Sequence, residues 1–206
     1  AMLDGYFANV RAALVPLIHD ISARGSQPDI TPLKAAFPIP AQRLFTDRLV
    51  ELLTIDRDRC ALGEVEHPFT GGVSKNDVRL TTHYHEFDVL SSFFSVIHEG
   101  GHALYELNTA DALVGSPLGG GASMGVHESQ SRFFENMIGR SRAFTQLVYP
   151  AMEKLFPEQM RAVSPDLLYR AANFAEPSLI RIEADELTYS LHIMVRYELE
   201  KRLIGG

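Results

Sequence analysis

The chain has 206 residues, 46% of them hydrophobic, and a formal net charge of −7 with no basic block. That length fits a single domain with its own core, and that charge argues against nucleic acid and anionic membrane surfaces as partners. A lone cysteine, Cys60, leaves no internal disulfide to form and suits a reducing, cytoplasmic setting.

No apolar run approaches the ~18 residues of a membrane span. The N-terminus shows neither a charged n-region nor a small-residue cleavage site, so no signal peptide is expected. Leu3, Tyr6, Phe7, Val10, Leu14, Leu17, Ile18 and Ile21 follow helical spacing, which predicts a first helix closed by Gly25 and Pro28. Pro16 should kink it. Residues 28–40 hold four prolines and read as an irregular connection. A second helix is expected over 41–58, with Leu44, Phe45, Leu49, Leu52 and Leu53 inward. From Gly63 the character changes to β-branched residues, glycines and short alternations. Two or three short antiparallel strands are expected there, with a turn at Ser74–Asn76.

Helical patterning returns at Asp88, a candidate cap for a helix running to about Asn108. Residues 109–125 form a long glycine-rich loop, and such loops are often functional. "VHESQSRFFENMIGRS" (126–141) reads as the next helix, followed by one over 142–156. "SPDLLYRAANF" opens a further helix, with Ser164 as cap and Pro165 at its first position. The last helix is expected from near Pro177, with Ile180, Ala184, Leu187, Leu191, Met194 and Leu199 at helical spacing.

"HEGGH" (98–102) places two histidines four apart on a helix. Positions i and i+4 share one face, so His98 and His102 can direct two imidazoles at one ion. Glu99, turned roughly 100° away, can take a proton from water whose pKa a bound zinc lowers. The flanks "FFSVI" and "ALYEL" make this a buried helix, where unpaired charge is costly. The alternative is a buried His/Glu hydrogen-bond network. Tyr105 and Asn108 exclude the longer HExxHxxGxxH pattern, which leaves a later carboxylate as third ligand. Glu128 opens the next helix. Glu106 lies further along the same face, His127 points elsewhere on its helix, and Glu135 is two turns on. His83 and His85 form an HxH pair that a strand would place on one face, more simply read as substrate-binding or hydrogen-bonded imidazoles. The glycines at 100 and 101 each cost about 1 kcal/mol in a helix relative to alanine, so a close approach to this backbone is implied.

Four ordered motifs resemble the carboxypeptidase Taq family of metallocarboxypeptidases: "DVRLT" (77–81), "HEGGH" (98–102), "HESQS" (127–131) and "IRIEAD" (180–185). The resemblance implies zinc, or cobalt or another divalent metal, bound by His98, His102 and Glu128, with Glu99 as general base. It implies peptide substrates with a free C-terminus, broad specificity, a mostly helical fold around a deep groove, and a homodimer. The expected fold is therefore mainly α: a helical zincin-type core with a small antiparallel β-sheet before the HExxH helix. Arg79 and Arg181, each inside a matched motif, are candidates for binding the terminal carboxylate, because the guanidinium fork pairs with both oxygens. Arg181 could instead pair with Asp185. Asp77 and Asp185 are candidate acceptors for the second N–H of the liganding imidazoles, and Arg132 could brace the Glu128 carboxylate. Gly101 matches a small residue that the family carries before its second histidine.

The family's final Gly-x-x-Gln-Asp-x-His-Trp motif is missing, and the chain holds no tryptophan. Residues 1–206 are therefore expected to be one domain, the metal-binding central part of a roughly 500-residue peptidase truncated at both ends, a length well beyond one ordinary domain. Such a piece is expected to bind metal and catalyse poorly or not at all. An oligopeptidase or endopeptidase with the same triad, and a non-catalytic metal-binding module, are the competing readings.

Overall fold

The structure is a computed structural model that describes residues 2–25, 27–181 and 184–206. The chain divides into two compact units. One comprises the residues up to Asp29 together with Asn173–Gly206; the other is Ile30–Ala172.

In the first unit, α1 (Met2–Arg24) continues past Pro16 without a break. Its apolar spacing forms the helix, but none of its residues is buried. It pairs with α7 (Glu186–Gly205) through Phe7 and Tyr197, whose rings meet edge-on at 5.0 Å, and through the Lys201–Asp4 ion pair. The last helix begins nine residues later than its spacing suggests. Asp185 is the reason: its carboxylate accepts from the backbone N–H of Leu187 and Thr188, a capping arrangement that starts the helix there. Ile182 and Glu183 of the IRIEAD motif lie outside the described residues.

The second unit holds the main core. Helix α2 (Ile39–Leu52) buries Gln42, Phe45, Thr46, Leu49 and Val50. Leu44 and Leu52, expected inward, are exposed. The buried stripe includes two polar residues that a hydrophobic reading skips. Gln42 belongs there because every side-chain group is satisfied: its amide donates to the carbonyls of Phe37 (3.0 Å) and His85 (2.9 Å), and its oxygen accepts from Ser92 (3.0 Å). The helix stops because Thr54 adopts a left-handed backbone with φ of 57°.

Three strands follow: β1 (Cys60–Glu64), β2 (Thr70–Ser74) and β3 (Asp77–Thr82). Their order is β1-β3-β2, with β2–β3 antiparallel and β1–β3 parallel. The sheet is thus mixed, where an all-antiparallel one was expected. Strand β3 carries Val78 and Leu80 into the core and takes the centre, while β2, with two glycines, takes an edge. Thr81 Oγ1 accepts from the Phe69 N–H (2.8 Å) and donates to the Phe69 carbonyl (2.7 Å), tying the entry of β2 to β3.

Helix α3 (Val89–Leu107) packs on this sheet. Asp88 caps it, accepting from the Ser91 N–H at 3.2 Å, and Asn108 ends it. Val89, Phe93, Val96, Ile97, Ala103 and Leu107 bury its apolar face. After the long loop, Ser123 caps α4 (Met124–Arg132), which continues without a break into a π-helical segment, Phe133–Gly139. Helices α5 (Arg142–Leu155) and α6 (Pro165–Ala172) close the unit, capped by Ser141 and Ser164 respectively.

Candidate metal centre

Helix α3 presents His98 and His102 one turn apart, their rings edge-on at 5.0 Å. Helix α4 crosses directly above Gly101. A Cβ there would sit 2.8 Å from Ser131 Cα and 3.1 Å from the Gln130 carbonyl oxygen, so only glycine lets the two backbones come this close. Gly100 faces the other way, toward the side chains of Leu53 and Ile55. The close crossing brings Glu128 to the histidines: its Oε2 lies 3.6 Å from His98 Nε2 and 3.3 Å from His102 Nε2. One ligand atom from each of the three falls within 4.8 Å of the others, and among the described residues no other group of this kind occurs. Arg132 braces Glu128, its Nε donating to Oε1 at 3.0 Å, and Ser131 Oγ donates to Oε2 at 3.1 Å.

Each imidazole is also held from behind. His98 Nδ1 lies 2.8 Å from Glu135 Oε2. Glu135, on the π-helical segment, is buried, and it accepts from Arg132 Nη1 (3.0 Å) and Arg140 Nη2 (3.1 Å). The Arg140 guanidinium stacks 4.0 Å from the centre of the Phe94 ring. His102 Nδ1 lies 2.5 Å from His127 Nδ1, and His127 Nε2 lies 2.6 Å from Glu106 Oε1. Asp77 and Asp185 were expected in these backing positions. Both Nδ1 atoms are taken by other groups instead: Asp77 pairs with Arg79, and Asp185 caps α7.

The two carboxylates of this cluster are held ionised by their protein neighbours. Burial opposes ionisation of Glu128, but His102, His98 and Arg132 outweigh it and hold the carboxyl well below its usual range. Burial likewise opposes ionisation of Glu135, yet His98, Arg132 and Arg140 hold it at about 2. Burial lowers the His98 pKa, but Glu128 and Glu135 more than compensate and raise it to about 9. In the metal-free protein a proton on His98 therefore supplies positive charge between two carboxylates. Two imidazole nitrogens and a carboxylate oxygen are a donor set that suits zinc and its first-row neighbours, and a divalent ion would take the place of that proton.

Glu99 is 8% exposed, and its Oε2 lies 2.7 Å from Thr70 Oγ1, which also reaches the Glu99 carbonyl at 2.9 Å. The edge strand β2 thus holds the side chain of Glu99, which follows His98 on α3. Arg79 is on the solvent side of β3, in a two-point pair with Asp77 (both 3.1 Å). Arg181 donates to the Tyr189 hydroxyl at 3.1 Å, and not to Asp185. His83 and His85 follow the end of β3 with rings 4.5 Å apart, and His83 Nε2 lies 2.7 Å from Ser91 Oγ.

A buried HExxH helix, a short sheet whose edge touches its glutamate, and a carboxylate from the next helix define a class, the metal-dependent peptidases with two histidines and a glutamate. Within that class the chain belongs to the carboxypeptidase Taq (M32) metallopeptidase family, whose pattern matches residues 1–206. It is 44% identical over 205 residues to Carboxypeptidase 1 of Bacillus subtilis, covering all of this chain and 41% of that protein. It is 40% identical to Thermostable carboxypeptidase 1 of Thermus thermophilus, covering 42% of it. Among solved structures, the M32 carboxypeptidase from Deinococcus radiodurans superposes with a TM-score of 0.93 at 44% identity, over 97% of this chain and 40% of that one. Trypanosoma cruzi metallocarboxypeptidase 1 superposes with a TM-score of 0.90 at 37% identity, over 100% and 41%. The chain spans about two-fifths of the length of these relatives.

Proposed function

We propose that this chain is the metal-binding part of a longer metal-dependent carboxypeptidase that removes C-terminal residues from peptides with broad specificity. The observation that carries the reading is the convergence of His98, His102 and Glu128 within 4.8 Å beside a buried Glu99. These three residues would hold the ion, zinc or cobalt or another divalent metal. When bound, it supplies Lewis-acid polarisation of the scissile carbonyl and acidifies water. Glu99, oriented by the Thr70 hydroxyl, takes the proton from the attacking water and returns it to the leaving amine. Arg79 and Arg181 are the proposed partners of the substrate's terminal carboxylate. Each would exchange its present partner for a bidentate pair.

The enzyme is proposed to be a cytoplasmic homodimer. Among the described residues no helix is long and apolar enough to cross a membrane. Because the chain covers 41% of the Bacillus relative, hydrolysis is proposed for the longer protein, and the isolated chain is proposed to bind metal with little or no turnover. The test is hydrolysis of matched peptides, with free and amidated C-termini, by this chain and by a longer protein containing it, each loaded with zinc or cobalt. Only the longer protein is expected to cleave, and only the free acid. Cleavage of both peptides at similar rates would replace the carboxypeptidase with an endopeptidase using the same residues.

A further inference from the structure

His98 and His102 are backed differently. Behind His98 stands a carboxylate, Glu135. Behind His102 stands another imidazole, His127, with Nδ1 facing Nδ1 at 2.5 Å. Two ring nitrogens at that distance share one proton, and its owner decides whether His102 can bind a metal. The carboxylate of Glu106 fixes the answer. It lies 2.6 Å from His127 Nε2 and is an acceptor, so His127 Nε2 carries a hydrogen. A neutral imidazole has one N–H and one bare nitrogen, and His127 Nδ1 is therefore bare and accepts from His102 Nδ1–H. With a metal ion bound, that leaves the lone pair of His102 on Nε2, the atom that otherwise faces Glu128 Oε2 at 3.3 Å.

His127 also stands immediately before Glu128 in the first turn of α4. A bond from its ring to α3 pins the backbone from which Glu128 extends. The glycine-rich loop closes over the same ring: a Cβ at Gly121 would lie 2.6 Å from His127 Cδ2. Tyr105 packs edge-on against it at 5.0 Å, while its hydroxyl accepts from the Ala122 N–H at 3.3 Å.

We infer that His127, oriented by Glu106, is a positioning residue for the metal centre: it sets the tautomer of His102 and the placement of Glu128. The inference rests on the metal site proposed above. The experiment measures zinc affinity of the purified chain by chelator competition, with the absorption spectrum of the cobalt form and the melting temperature of the metal-free form alongside. Loss of such a backing group weakens metal binding roughly 10–100-fold. His127→Phe keeps the ring's shape without its hydrogen bonds and is expected to show that loss, with an altered cobalt spectrum. His127→Gln can both accept from His102 and donate to Glu106, and is expected to recover most of the affinity. Glu106→Leu leaves His127 in place without its acceptor; a several-fold loss is expected, and it carries the test if His127→Phe does not fold. Affinity within about twofold of the parent in His127→Phe or Glu106→Leu overturns the assignment. Equal losses in His127→Gln and His127→Phe, with both melting like the parent, overturn it too. His102→Ala and Glu128→Ala separate the two layers: if either retains full zinc binding, the metal site itself is wrong.

Discussion

Glu135→Ala is expected to lower stability by about 3–5 kcal/mol, the cost of breaking a buried ion network by removing one partner, and to weaken zinc binding roughly 10–100-fold. Three donors converge on this carboxylate: His98 Nδ1, Arg132 Nη1 and Arg140 Nη2, at 2.8, 3.0 and 3.1 Å. Two of those side chains are nearly as enclosed as Glu135 itself, with His98 at 17% and Arg140 at 11% exposure. Arg132 keeps its bond to Glu128 in the variant, and Arg140 keeps its bond to the Ala172 carbonyl and its stacking on Phe94 but loses its ion pair with Glu135. For a chain of this length, each kcal/mol shifts the melting temperature by about 2–4 °C, so the metal-free variant should melt about 10 °C lower. Glu135→Gln separates charge from shape. Its amide oxygen still accepts from His98, so it should lose stability while keeping most of the zinc affinity. A Glu135→Ala protein that melts and binds zinc like the parent would show that this carboxylate supports neither the fold nor His98.

Glu135 also marks where sequence reasoning stops. The candidate ligands His98 and His102 stand out in the sequence because HExxH is a local pattern with a fixed geometry, and both ends of its helix are signed by Asp88 and Asn108. Glu128 is legible as the first carboxylate of the next helix. The residues behind the imidazoles are not. The reach of Glu135 depends on a π-helical segment, and a 3.6-residue periodicity does not reveal where a helix widens. His127 and Glu106 lie on different helices, and their meeting depends on how closely α3 and α4 cross. Glu106, His127 and Glu135 stand out in the sequence only as competing third ligands, not as partners of the imidazoles. The sheet shows the same limit. The strand-rich character after Gly63 and the turn before β3 follow from local chemistry, whereas the start of β1 at Cys60 and its parallel pairing with β3 depend on long-range partners. In α1 the apolar spacing yields the helix but not a buried face, because spacing describes one helix and burial needs a second surface.

The adjacent glycines of HEGGH should respond differently to alanine. In an unconstrained helix either substitution would gain about 1 kcal/mol. At Gly100 the new methyl would meet Leu53 Cδ1 at 2.5 Å and Ile55 Cδ1 at 3.3 Å. These are ends of flexible side chains, which can turn aside. At Gly101 it would meet Ser131 Cα at 2.8 Å, the Gln130 carbonyl oxygen at 3.1 Å and Phe134 Cβ at 3.2 Å. These belong to the backbone of α4 or lie next to it and can yield only if the helix moves. Overpacking of this kind costs about 1–3 kcal/mol, which cancels or exceeds the helix gain. Moving α4 outward also carries Glu128 away from both imidazoles. Gly100→Ala is therefore expected to melt near the parent and bind zinc as tightly. Gly101→Ala is expected to bind zinc about tenfold more weakly, equivalent to about 1.4 kcal/mol, and a larger residue such as valine at 101 to abolish binding. Calorimetric melts and chelator competition on the two alanine variants decide it. If Gly101→Ala melts higher than the parent with unchanged zinc affinity, the close crossing of α3 and α4 is not what sets the position of Glu128.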